Sequence, residues 1–122
     1  MTDLIARLEK LTGPDREVDA EIFAEITGNV RSQDYWRFTG LRTKGEADDV
    51  AFSAYCKYRA LRYTASLDAA LSLVPEGWEW ELSWLAGVAA AKIGDPLLYL
   101  EGEAKTPAIA LCIAALKARG IK

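Results

Sequence analysis

Residues 78–84 read Trp-Glu-Trp-Glu-Leu-Ser-Trp, and this strict alternation of apolar and polar side chains has the period of a half-buried β-strand. Trp78, Trp80, Leu82 and Trp84 fall on one face, and Glu79, Glu81 and Ser83 on the other. The stretch forces a sheet into a chain whose two ends carry helical periodicity. Its neighbours supply the rest of that sheet. Gly87 permits a tight connection into a strand of small residues from Val88 to Ile93. Gly94-Asp95-Pro96 makes a turn, and Leu97 to Gly102 reads as a third strand. Connections this short imply an antiparallel meander.

The ends are helical. Leu4, Leu8 and Leu11 recur at helical spacing until Gly13-Pro14 stops them. Asp15 can cap a second helix, whose stripe is Val18, Ile22 and Ile26, widened by Phe23 and ended at Gly28. The two form a helical hairpin. Ser66 caps a central helix carrying Leu67, Ala70, Leu71 and Val74, which Pro75 ends. Thr106 caps the last helix, with Pro107 at its first position. That helix is apolar over a wide arc and is expected to lie buried across one face of the sheet. Residues 29–62 are ambiguous. Tyr35-Trp36-Arg37-Phe38 suits a short strand or a docked loop, Lys44 to Asp49 a loop, and Val50 to Tyr63 either a helix or two extended pieces. The expected fold is a single α+β domain over 1–122, with helices packed on a small antiparallel β-meander in an α-β-α sandwich-like arrangement. Residues 29–62 add one or two short strands in this reading.

Several chemistries are disfavoured. The chain has 122 residues and no histidine, which removes the commonest general base and the usual zinc-ligand sets. Its net charge of −3 argues against a general nucleic-acid binder. Cys56 and Cys112 lack metal-type spacing and read as two reduced, buried thiols rather than a disulfide. Neither a Walker pattern nor a dinucleotide fingerprint occurs, and no cofactor is expected. Met1 to Arg7 lacks a signal-peptide layout, and the longest apolar run, Pro107 to Leu116, is about half a membrane span. A cytoplasmic protein with no membrane partner is the expectation.

Three segments resemble the phage ABA sandwich domain family. They are Tyr63-Thr64-Ala65-Ser66-Leu67-Asp68-Ala69-Ala70-Leu71 with Val74-Pro75-Glu76-Gly77-Trp78, Thr106-Pro107-Ala108-Ile109-Ala110-Leu111-Cys112 running on to Arg119, and Leu4 to Leu11 with Gly13-Pro14-Asp15-Arg16. The resemblance implies a small phage or prophage protein with helices packed on a sheet, in the cytoplasm of the host cell. It carries over no activity and no catalytic residue, because the matching positions are caps, turns and core.

Candidate sites come from the residues themselves. Arg31, Arg37, Arg42, Lys44, Lys57, Arg59 and Arg62 interleave with Tyr35, Trp36, Phe38, Tyr55, Tyr58 and Tyr63 between acidic flanks. Arginine grips phosphate bidentately and aromatic rings stack on bases, so Trp36, Arg37, Tyr58, Arg59 and Arg62 are the candidate ligand-binding set. The competing reading is ordinary salt bridging to the acidic helices. Glu79 and Glu81 stand about 6–7 Å apart on one strand face, a spacing that suits paired-carboxylate chemistry. Alternation alone explains them as a solvated face. Of the tryptophans Trp78, Trp80 and Trp84, at least two are expected in the core, with Trp84 and Trp36 the ones able to reach the surface.

Two function classes follow. One is a non-enzymatic phage accessory protein that binds a phosphorylated, nucleotide-like ligand and sequesters a host immune signal. The other is a protein–protein interaction module, an assembly factor or an inhibitor of a host protein. Two sheet edges also lead us to expect association into a homo-oligomer.

Overall fold

A computed structural model describes residues 4–28, 33–39, 48–95 and 98–121. The elements are helices α1 (Leu4–Lys10), α2 (Arg16–Ile26), α3 (Gln33–Thr39), α4 (Asp48–Arg59) and α5 (Leu67–Leu71), strands β1 (Glu79–Leu85), β2 (Val88–Asp95) and β3 (Leu98–Ala104), and helix α6 (Pro107–Ala118). The fold is α+β. The caps expected at Asp15, Ser66 and Thr106 are made: Asp15 accepts the amides of Glu17 and Val18, Ser66 that of Ala69, and Thr106 that of Ile109. Thr2, the cap expected for α1, lies outside the described residues.

The sheet is an antiparallel meander in the order β1-β2-β3. Its register puts Trp84, Ala89 and Ala104 in one row, Leu82, Ala91 and Gly102 in the next, and Trp80, Ile93 and Leu100 in the third. This is the face that α6 covers, with Ala108 to Leu116 buried throughout. Gly102 sets the spacing. A Cβ there would stand 2.5 Å from the Ala110 carbonyl oxygen and 2.8 Å from the Ala114 amide nitrogen. Only a residue without a side chain lets the helix backbone approach the strand this closely.

α1 and α5 pack on α6, and the main core runs from Leu4, Leu8, Val18 and Ile22 through Leu73 to Ile93 and α6. The opposite sheet face is exposed at Glu79, Glu81, Ser83, Lys92, Tyr99, Glu101 and Glu103. Leu85 and Val88 also stand exposed on this face with Tyr99, and α6 packs on the other, so the sandwich-like layering is realised on one face of the sheet among the described residues.

Two expectations are corrected. Residues 33–39 form helix α3 where a short strand or docked loop was expected, and 48–59 form α4, the helical one of the two alternatives for Val50 to Tyr63. No strand occurs among the described residues of 29–62, and positions 29–32 and 40–47 lie outside the description. The reason is a second core. Tyr35 is fully buried against Phe52 and Tyr55, with ring centroids 5.5 and 5.4 Å away in edge-to-face geometry. Burial of these rings between α2, α3 and α4 outweighs the strand preference of the aromatic residues.

The second correction concerns tryptophan. Trp78 packs half-buried against the main core, but Trp80 and Trp84 are 46% and 57% exposed. A helix is about 10 Å across and strands lie about 4.8 Å apart, so a single helix covers two strands. α6 lies over β2 and β3, and β1 projects beyond it. Cys56 and Cys112 are buried and not joined in a disulfide, as expected.

Candidate functional site

The basic-aromatic set is distributed over α3 and the end of α4. Asp34, in the first turn of α3, organises it. Its Oδ2 accepts Arg59 Nε at 2.9 Å and its Oδ1 accepts Arg59 Nη2 at 2.9 Å, a bidentate fork. The Tyr55 hydroxyl donates to the same carboxylate at 3.0 Å. The Arg59 guanidinium also lies 5.2 Å from the centre of the Tyr58 ring, within cation–π range. Tyr58 and Arg59 are therefore in contact, and Asp34 ties them to the helix that bears Trp36 and Arg37.

The other members play separate parts. Trp36 is half-buried, 4.9 Å from Tyr35 ring to ring, and packs on the second core. Arg37 is exposed in the last turn of α3. Arg62 is exposed beyond α4, and its carbonyl accepts the amides of Ala65 and Ser66 at 3.1 and 2.8 Å. Arg37 and Arg62 meet no acidic side chain among the described residues. Arg37 and Arg59 both sit at helix C-termini, where a cation complements the negative end of the helix dipole. That placement explains them without a ligand, and a bound anion there must compete with Asp34 for Arg59.

Glu79 and Glu81 stand exposed on the open sheet face, with Lys92 directly across from Glu81. Lys92 Nζ lies 3.6 Å from Glu101. A shallow groove of about 210 Å³ runs between Glu81, Ser83, Lys92, Glu101 and Glu103. Among the described residues, no group of three or more His, Cys, Asp or Glu side chains is placed to hold a metal ion, and no helix is long and apolar enough to cross a membrane.

The one fully buried carboxylate, among the described residues, is Asp19. Thr64 donates to it through both amide and hydroxyl, and Arg16 reaches its second oxygen at 3.3 Å. Arg16 continues to the carbonyls of Leu61 and Lys57. This network clamps α2 to the segment after α4. Beneath it, burial pushes the Cys112 thiol far above its ordinary range, and the Asp19 charge adds to the effect. A thiol so held is inert as a nucleophile. Its S–H donates to the Tyr63 carbonyl at 3.2 Å.

Two features of the candidate sites were not expected from the sequence. Asp34 gave no signal, because a contact between residues 25 apart leaves no trace in spacing. The exposure of Trp80 was readable in principle, since one apolar helix was available for three strands; Trp84 reaches the surface as expected. Comparison with family models, with curated proteins and with solved structures finds no match to this chain.

Proposed function

We propose that this chain is a non-enzymatic interaction module that binds protein through the β1 edge of its sheet. The observation behind this reading is the pair Trp80 and Trp84, 46% and 57% exposed on a strand that pairs on one side only among the described residues. Tryptophan is the side chain most enriched at interface hot spots, and an open strand edge offers backbone donors and acceptors to a partner. A phage accessory role, as an assembly factor or inhibitor of a host protein, draws its support from the resemblance in sequence. A photo-cross-linking residue in place of Trp84, expressed in living cells, tests the reading. A protein adduct that Trp80→Ser weakens supports it. The absence of any protein adduct from position 84 overturns it.

A second reading is a binder of phosphorylated ligands, such as a nucleotide signal of host immunity. Arg37, three residues along α3 from Asp34, and Arg62, three residues beyond Arg59, are exposed, and the Arg59 guanidinium is already held against Tyr58, which favours it. Inorganic phosphate and a panel of cyclic and linear nucleotides should then raise the melting temperature, because a ligand that binds only the native state stabilises it. Asp34→Asn should enhance that rise by releasing Arg59, and Arg62→Ala should diminish it. A melting temperature indifferent to every ligand ends this reading.

A further inference from the structure

We infer that the partner fitting the β1 edge is β1 of a second copy, joined antiparallel about a two-fold axis at Leu82; this rests on the reading of that edge as a protein-binding surface. A two-fold perpendicular to the sheet keeps α6 of both copies on the same side. It extends the strand order β1-β2-β3 into a continuous sheet running through both molecules. Residues directly opposite in an antiparallel pair share a face, so the register must match Trp-face to Trp-face.

Charge then selects among the allowed registers. Centring on Trp80 sets Glu79 against Glu81, and centring on Glu81 sets that residue against itself. Centring on Ser83 runs Trp80 into Ala86, in the turn. Centring on Leu82 pairs the whole of β1, residues 79–85, with itself. Trp80 then faces Trp84 of the other copy, twice, and Leu82 faces Leu82. Glu81 faces Ser83, and Glu79 faces Leu85. No charged residue meets a like charge directly, and each Glu81 retains Lys92 across from it on β2.

The exposed apolar surface agrees with this choice. α6 leaves β1 uncovered, so two β1 strands side by side create one trough between two α6 helices, lined by the tryptophans that are exposed in the single chain. The opposite edge behaves differently. Full-length pairing of β3, residues 98–104, with itself sets Glu101 against Glu101. At full length β3 therefore opposes like charges where β1 does not, which favours β1 as the edge that pairs in a closed dimer.

Sedimentation and native mass spectrometry over a concentration series test the inference. The wild type is expected at twice the 13.4 kDa of the chain. Ser83 is exposed, so its variants keep the fold, which circular dichroism verifies. Ser83→Glu opposes a glutamate to Glu81 at two symmetric positions and should weaken dimerisation about tenfold, while Ser83→Lys should tighten it. A dimer indifferent to both substitutions overturns the β1 register. A monomer at every concentration overturns the inference, and a cross-link from position 84 to a different protein would then leave the broader reading standing.

Discussion

Thr64 gives both of its donors to one oxygen of Asp19: its amide and its hydroxyl each stand 2.8 Å from Oδ1. The carboxylate is 1% exposed, so its solvation comes from these bonds and from Arg16. Asp19→Ala should cost about 3 kcal/mol, because charged hydrogen bonds are lost and buried donors are orphaned. Thr64→Val keeps the amide bond and should cost about 1–2 kcal/mol. Urea unfolding of both variants checks the order.

Gly102 predicts a steric failure. Its missing side chain is replaced by helix backbone, which cannot swing aside as a flexible side chain would. Gly102→Ala should destabilise the protein by about 2–3 kcal/mol, and calorimetry measures it. Gly13 has open space at the same position and should tolerate alanine far better.

The β1–β2 turn carries a correctable strain. Ala86 and Gly87 both have positive φ, 53° and 80°, as a two-residue hairpin turn of this hand requires. Alanine is a poor occupant of that region. Ala86→Asn or Ala86→Gly should stabilise the fold by about 0.5–1 kcal/mol, visible as a higher melting temperature.

Alkaline pH should destabilise the fold through Cys112 and Tyr63. Burial raises both groups above their ordinary values of 9.0 and 10.0, and neighbouring Asp19 pushes the same way. The unfolded chain therefore releases these protons first. Stability is fully present below the ordinary thiol value and falls as pH rises beyond it, by up to about 1.4 kcal/mol per pH unit for each group. Cys112→Ala should flatten the first part of that fall in urea titrations across the range.

Local signals were legible where one residue decides the outcome. Asp15, Ser66 and Thr106 mark helix starts because a short polar side chain can reach a free amide only there. Alternation fixed which face of β1 each side chain takes. What eluded the sequence depends on contacts between distant segments. Residues 35–38 look extended by propensity and are helical because Tyr35 docks on Phe52 and Tyr55. Trp80 looks like core by composition and is exposed because of where α6 ends its coverage. Of the candidate ligand set, the chemistry of each arginine was readable, while the claim of Asp34 on Arg59 was not.

α2 is a wall shared by two hydrophobic bodies. Val18 and Ile22 face the main core, Ala20 faces the aromatic cluster of α3 and α4, and Phe23 packs against both. Apolar bodies joined at one wall open separately when the free energy of parting them is lower than that of melting either neighbour. The amides of α3 and α4 should thus exchange with solvent through an excursion that leaves the sheet and α6 protected. Phe23 is the ring whose packing both bodies share, so its size sets how strongly the loosening of one is felt by the other.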